Sequence, residues 1–284
     1  MRSKSPDDVP VPPVTLSPES FREQIYRFYL QHGRELAWRT DITPYRIVVS
    51  EIMLQQTQVE RVSSAFPRFI EHFPDFESLA GASLEEVLKE WQGLGYNRRA
   101  ISLKKTAERV VSEFCGNLPH DERILASLPG IGKATAASIT VFAFNTPAAF
   151  IETNIRRVFL HCFFPGREGV TDREIFPLVR ETMDLADPRV WFWALMDYGA
   201  YLGRKSGNPN RRSSHYRRQP PFSGSDRQVR GMILKILVDE GGMHPDELCA
   251  RAGGDPERVS RLMKSLENEG FIEMKEDLVR ISRG

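Results

Sequence analysis

At 284 residues the chain has room for one large domain or two modest ones, and 40% hydrophobic with 27% charged residues is an ordinary globular composition with enough length to bury a core. A formal net charge of +1 excludes a global positive field, so any grip on a polyanion must come from local patches. Three scattered cysteines, Cys115, Cys162 and Cys249, are too few for a disulfide framework, a zinc site or an iron–sulfur cage, and no apolar run approaches the roughly 18 residues that span a bilayer, so a reducing, cytoplasmic setting is expected.

Residues 1–16 are proline-rich and lack an apolar stretch, so they read as a disordered tail rather than a signal peptide. From Ser17 to about Arg204 the pattern is helical throughout, and residues 17–204 are expected to form one all-α domain. Ser17-Pro18 opens a segment with Phe21, Ile25 and Phe28 at helical spacing, and Thr43-Pro44 opens another through Ile47, Val48, Ile52 and Leu54. Thr57 to Glu60, Ser83 to Glu86 and Thr171 to Glu174 each have the capping-box spacing, and Asp187-Pro188 starts a last helix through Trp191, Leu195 and Tyr198. Residues 205–225 turn polar and basic, rich in Asn, Pro and Ser, and read as a linker loop. In 226–284 three helical segments (Arg227–Glu240, Pro245–Ala252 and one capped by Asp255-Pro256) precede two short alternating runs about a tight turn, Phe271–Ser282. Three helices and a hairpin resemble a winged helix, although the helices alone equally suit a generic bundle.

Two stretches carry chemistry. SEIMLQQTQV (Ser50–Val59) and FIETNIRRV (Phe150–Val158) each present a carboxylate, Glu51 and Glu152. Between them LPGIGKATAAS (Leu128–Ser138) has the pattern of a helix-hairpin-helix turn. Gly130 and Gly132 would permit positive φ and close approach, so that backbone N–H groups converge on a phosphate, and the helix opening at Lys133 aims its positive end at the same place. Such a turn can also simply join two helices. An acid that protonates a leaving base and a carboxylate that stabilises a cationic sugar are the two groups that glycosidic cleavage requires.

Taken together, LAWR (Leu36–Arg39), TPYRIVVSEIMLQQTQV, GLGYNRRA (Gly93–Ala100), LPGIGKATA, IETNIRRV and ALMDYGAYLG (Ala194–Gly203) occur in one order from about Glu19 to Arg204. They resemble the helix-hairpin-helix DNA glycosylase superfamily (endonuclease III-like), most closely its adenine-specific mismatch branch. The resemblance implies a two-lobed α-helical fold with DNA and the flipped-out base in the cleft between the lobes. It implies that Glu51 protonates the base and helps position water. It places Glu152 where the family has an aspartate; the extra methylene matters because a misplacement of about 1 Å can cost some hundredfold in rate. Asn154 would support the sugar or that carboxylate, and Gln55 and Gln56 would fill the gap left by the base or contact its partner. Tyr96 and Arg39 would line the base or sugar pocket, and Tyr96 lies in a segment that in the family reads the strand and stacks on it. Asn97 stands where the adenine branch often has a second aromatic residue.

The family's Schiff-base lysine position is Ala134 here, and Lys133 falls one residue early, about 100° around the helix, so the resemblance implies a monofunctional enzyme that uses water. Many relatives bind an iron–sulfur cluster, yet the corresponding positions are Gly203, Asn210, Ser213 and Gln219, so no cofactor is expected. Arg204, Lys205, Arg211, Arg212, Arg217 and Arg218 stand there without an acidic residue among them. A basic loop of this kind would contact DNA phosphate, chiefly through Arg211 and Arg212. Nothing resembles the Nudix-like domain usual in the adenine branch. The expected protein is thus a monomeric glycosylase acting on double-stranded DNA with a mismatched or damaged base, nucleoid-associated if prokaryotic, with adenine opposite guanine or 8-oxoguanine the leading substrate. Alternatives are a thymine or uracil glycosylase, or a catalytically weak sensor of DNA distortion.

Overall fold

The structure, a computed structural model, describes residues 17–205, 208–217 and 221–283; the predicted tail 1–16, Arg218 and Gln219 lie outside the described residues. Helices dominate: α1 (Pro18–His32), α2 (Ala37–Thr40), α3 (Pro44–Leu54), α4 (Val59–His72), α5 (Phe76–Gly81), α6 (Leu84–Glu90), α7 (Arg98–Phe114), α8 (Glu122–Leu125), α9 (Lys133–Phe144), α10 (Thr153–Phe163), α11 (Asp172–Thr182), α12 (Pro188–Lys205), α13 (Asp226–Glu240), α14 (Pro245–Ala252) and α15 (Pro256–Asn268). A 3₁₀ turn spans Pro209–Arg212, and strands β1 (Ile272–Lys275) and β2 (Leu278–Ile281) close the chain. No described helix is long and apolar enough to cross a membrane.

Most start signals act as read. Ser17 accepts the N–H of Ser20 ahead of Pro18, Thr43 accepts that of Arg46 ahead of Pro44, and Ser83 and Glu86 close a reciprocal capping box. Glu174 reaches back to the N–H of Thr171 at 3.0 Å. The expected box at Thr57–Glu60 does not form. α4 begins after Gln58, which makes no side-chain cap bond, while the Thr57 hydroxyl accepts instead from Arg99 Nη2 at 2.9 Å. A buried guanidinium outbids the local cap, and spacing alone does not reveal it.

The chain forms two compact units. One takes the residues before Ala37 and resumes at Lys133 through the basic loop; the other takes Ala37–Gly132 and the C-terminal segment. In the first, α12 packs on α1 and α10. Phe21 meets Phe159 and Trp191 at ring separations of 5.5 and 5.8 Å, and Phe28 meets Tyr198 at 5.0 Å. Edge-on and tilted pairs of this kind add about 0.5–1.5 kcal/mol each beyond the area they bury. Asp197, buried within ALMDYGAYLG, accepts from the Arg34 backbone N–H at 2.8 Å and from its guanidinium at 2.7 and 2.6 Å, which fixes the chain leaving α1.

In the second unit α3 packs against α4 and α7, with Val48, Ile52, Phe66, Phe69, Trp91 and Leu103 buried. The C-terminal segment is a winged helix. α13, α14 and α15 enclose Ile233, Leu237, Leu248, Val259 and Leu262, and the hairpin pairs Ile272 with Ile281 and Lys275 with Leu278. The two turn residues, Glu276 and Asp277, have φ of 51° and 59°, the primed turn whose twist suits a two-residue hairpin. α13 lies on α6, so the winged helix packs onto this unit's own helices.

Candidate active site

Glu51 begins the last turn of α3, half-buried, on a helix whose Ile47, Val48, Val49, Ile52 and Met53 are buried. A carboxylate there faces the negative end of the helix dipole, a disfavour of roughly 0.3–1 kcal/mol. Beyond it the chain leaves the helix through Gln55 and through Gln56, whose φ is 55°. Gln55 Nε2 donates to the carbonyl of Gly130 at 3.1 Å, tying the end of α3 to the hairpin turn. Arg39 sits on α2, which packs on α3 and α4 through the buried Trp38.

The residue that organises this region is Arg99, to which no motif assigns a role. It is 8% exposed. Its Nη1 donates to the carbonyls of Ile52, Met53 and Gln55 at 2.9, 2.7 and 2.6 Å, and its Nη2 donates to the Thr57 hydroxyl and the carbonyls of Leu94 and Gly95 at 2.9, 3.2 and 2.9 Å. The guanidinium also lies 5.3 Å from the Trp91 ring centroid and 5.6 Å from that of Tyr96. Burial lowers its pKa to about 10, which leaves it charged at neutral pH. One side chain thus satisfies the orphan carbonyls at the end of α3 and holds the turn 93–96 against it. That turn is conformationally demanding: Gly93 and Gly95 have φ of 87° and 70°, and Tyr96, a non-glycine residue, has φ of 48°. Gln56 and Tyr96, both flagged by motif, are therefore left-handed residues on two loops joined by one arginine. The only available signal was the second basic residue of GLGYNRRA.

The hairpin turn separates the roles of its glycines. Gly130 has φ of 76°, and a Cβ there would lie 2.7 Å from Ser102 Cβ on α7, so both conformation and packing demand glycine. Thr106 donates to the Pro129 carbonyl at 2.8 Å and fastens the same turn to α7. Gly132 differs from the expectation: its φ is not positive and nothing stands within 4 Å of a built Cβ. Gly132, Lys133 and Ala134 are exposed, at the turn and in the first residues of α9. An exposed, side-chain-free backbone leading into a helix N-terminus is suited to an approaching anion.

Glu152 belongs to the other unit. It is the N-cap of α10, where Oε1 accepts the N–H groups of Asn154 and Ile155 at 2.7 and 2.8 Å, with Asn154 Nδ2 3.3 Å from Oε2. Asn154 Oδ1 in turn accepts from Arg157 Nη1 at 2.8 Å, and the same nitrogen donates to the Gly199 carbonyl at 2.7 Å. The glycines of ALMDYGAYLG make this possible: a Cβ on Gly199 would lie 2.3 Å from the Asn154 carbonyl oxygen, and one on Gly203 would lie 2.6 Å from Arg157 Nη1. The residue as a whole keeps some exposed surface, yet burial of its carboxyl raises the pKa above the usual carboxylate range. The two backbone donors, Arg157 and Arg156 act against that rise.

The basic loop is built, not merely solvated. Arg212 was expected at phosphate; it is half-buried, and its two Nη atoms donate to the carbonyls of Phe164 and Leu160 at 2.5 and 2.9 Å. A cation covering orphan carbonyls at a helix C-terminus has a structural role, so Arg212 differs from the expected phosphate contact, while Arg211 is exposed. Asn210 and Ser213, at two of the positions where relatives carry cluster thiolates, are 5% and 6% exposed. Asn210 Nδ2 donates to the Thr153 carbonyl at 3.0 Å, and Ser213 bridges to Val170. Gly203 offers no donor, and the buried Cys162 thiol is pushed up to about 12, far from the thiolate that ligates iron. These side chains do not fit a cluster.

Comparison with known proteins agrees with this architecture. The family described as HhH-GPD superfamily base excision DNA repair protein matches residues 49–180, and the winged helix-turn-helix DNA-binding family matches 226–273. An adenine DNA glycosylase of Mycolicibacterium smegmatis is 31% identical over 275 residues, covering 89% of this chain and 93% of that protein. One of Buchnera aphidicola is 36% identical over 194 residues, 66% of this chain but only 54% of its own length. Among solved structures, a thermostable thymine-DNA glycosylase superposes with a TM-score of 0.60 at 25% identity, covering 68% of this chain and 90% of that one. A non-covalent endonuclease III–DNA complex superposes with a TM-score of 0.53 at 19% identity over 73% and 91%, which shows the shared fold. The chain belongs to the helix-hairpin-helix superfamily of base excision DNA repair proteins, in its adenine DNA glycosylase branch.

Proposed function

We propose that this DNA glycosylase of base excision repair is monofunctional, that it releases adenine mispaired with guanine or 8-oxoguanine from duplex DNA by hydrolysis, and that it works as a monomer in the cytoplasm without an iron–sulfur cluster. The observation that carries the reading is the placement of Glu51. It lies in the last turn of α3, where the helix dipole disfavours a carboxylate, and the end of that helix is joined through Arg99 to the left-handed Tyr96. A carboxylate set against its own helix dipole, in a segment that runs into the left-handed Gln56, points to function.

In this reading Glu51 protonates the departing adenine, which otherwise leaves as a poor anion, and water adds to the sugar as the bond breaks. Glu152 supplies negative charge to the cationic sugar. Its carboxylate is held back against its own helix by two N–H bonds, so the extra methylene is folded toward α10. Gln55, Gln56 and Arg39 line the base or its vacated place, Tyr96 stacks at the pocket and reads the strand beside it, and Asn154 holds Glu152. Gly130, Gly132, Lys133 and Arg211 face phosphate. Ala134 has no amine, so no Schiff base forms there.

The test is a panel of duplexes with adenine opposite each base and opposite 8-oxoguanine, plus thymine and uracil opposite guanine, treated with alkali to reveal abasic sites. Adenine release opposite guanine or 8-oxoguanine is expected, without covalent capture by borohydride. The likeness to the thymine-DNA glycosylase structure makes thymine opposite guanine the competing substrate, and exclusive release of thymine would replace the adenine reading. Metal analysis of the purified protein should find no stoichiometric iron.

A further inference from the structure

The winged helix grips the same strained turn that Arg99 holds. Arg227, on the first turn of α13, donates from Nη1 to the Tyr96 hydroxyl at 2.9 Å, and its guanidinium lies 5.9 Å from the Tyr96 ring centroid. Two residues past the turn, at the start of α7, Arg98 pairs with Glu269, just beyond α15, at 2.6 Å, and Glu269 is itself held by Arg230 of α13 at 2.6 Å. Gln92, just before the turn, donates to Asp239 of α13 at 2.8 Å. Gln92, Tyr96 and Arg98 are thus each engaged by the C-terminal segment. Tyr96 is the member with the costly backbone conformation and with 37% of its surface still open.

We propose that Arg227 is a positioning residue that sets the protein's preference for the base opposite the excision site, acting through Tyr96. The inference rests on the reading of the chain as a DNA glycosylase whose Tyr96 meets the duplex. A tyrosine at positive φ keeps its ring in one place only when its surroundings hold it there. Arg99 fixes the turn's backbone carbonyls, and Arg227 fixes the hydroxyl end of the ring. Without Arg227 the ring stays in the turn but samples more orientations, so it discriminates less between neighbouring bases. The winged helix thereby takes part in opposite-base selection as a buttress to the reading loop.

The experiment uses the full chain and duplexes carrying a tetrahydrofuran abasic site opposite guanine, 8-oxoguanine or cytosine, with affinities measured by fluorescence anisotropy. Arg227→Met and Tyr96→Phe are each expected to lower the ratio of affinity opposite guanine over cytosine about fivefold, the worth of one hydrogen bond, and the double variant should lower it no further. Arg227→Lys, which keeps a donor and the charge, should recover most of the ratio. Thermal melting within about 2 °C of the parent identifies folded variants; if Arg227→Met melts lower, the Tyr96→Phe and Arg227→Lys arms still decide. An unchanged ratio in Tyr96→Phe, or additive losses in the double variant, would overturn the proposal. No base is released in this assay, so it reads the inference even if the excised base proves not to be adenine, whereas the duplex panel above reads the substrate alone.

Discussion

Glu51 and Glu152 occupy opposite kinds of helix end. Glu152 caps the N-terminus of α10, where its oxygen accepts two backbone N–H groups and the helix dipole offsets part of the cost of burying its charge, so a structural reason for an acceptor there exists whatever else it does. Glu51 stands in the final turn of α3, where the dipole disfavours it and where the carbonyls are already served by Arg99. The contrast shows how to weigh a carboxylate in a motif. One that stabilises its own helix needs an independent argument for chemistry, and one that sits against its helix supplies that argument itself.

The largest test of the contrast is Glu51→Gln. If Glu51 is the proton donor, single-turnover base release falls about a thousandfold, within the range of general acid catalysis, while the melting temperature stays level or rises slightly. A melting loss comparable to that of a core substitution, with release intact, would make Glu51 structural and erase the distinction. Next in size is Arg99→Met. It leaves several buried carbonyls without a donor and removes the tie between α3 and the turn 93–96, so a loss of about 3 kcal/mol in denaturant unfolding is expected. Arg99→Lys should recover little, because an ammonium cannot span two strings of carbonyls as the guanidinium fork does.

Glu152 tests the other side. Burial raises its carboxyl pKa, so the ionised form that would stabilise a cationic sugar develops only above the usual carboxylate range. The acid limb of kcat/KM should lie correspondingly high, and it should vanish in Glu152→Gln together with about a hundredfold of rate. Linkage sets the sign for stability. A folded pKa above the unfolded one contributes stability that is complete below the unfolded pKa and is lost as pH rises through the folded pKa. Glu152→Gln keeps an oxygen for the two N–H groups but never ionises, so it should melt higher than the parent at neutral pH, with the gap closing on acidification. Higher melting together with lower activity would mark a residue kept for chemistry against stability.

The legible parts of this molecule are those whose cause is local. Ser17, Thr43 and Ser83 announce their helices because a cap acts within one turn, and Pro245 and Asp255-Pro256 place α14 and α15 to the residue. The carboxylates and Gly130 were legible because the motif order is itself a long pattern. What escaped were the long-range arginines. Arg212 reads as a phosphate contact and Arg99 carries no motif role at all, whereas each is folded inward to satisfy backbone carbonyls many residues away. Burial and partner choice decide whether an arginine is a phosphate contact or a cap, and neither is written in local sequence. The grip of the winged helix on the turn 93–96 was invisible for the same reason.

The smallest expected effect concerns that grip. Glu269 accepts from Arg98 and Arg230 and from the Ser265 hydroxyl, and the Arg98 hydrogen bond does most to depress its pKa, with burial opposing, to about 2. The sign is opposite to that of Glu152: the stabilisation is complete above the unfolded carboxylate pKa and is lost as pH falls toward about 2. Arg98 is largely exposed, so solvent and salt screen the pair, and Glu269→Gln should cost only about 1 kcal/mol at neutral pH. Melting curves of parent and variant should differ at pH 7, converge in strong acid, and draw together in high salt. A difference that survives both would mean that the C-terminal segment holds the turn 93–96 by packing of α13 on α6 rather than by charge. The Arg98–Glu269 pair would then orient a junction that the apolar contact already secures.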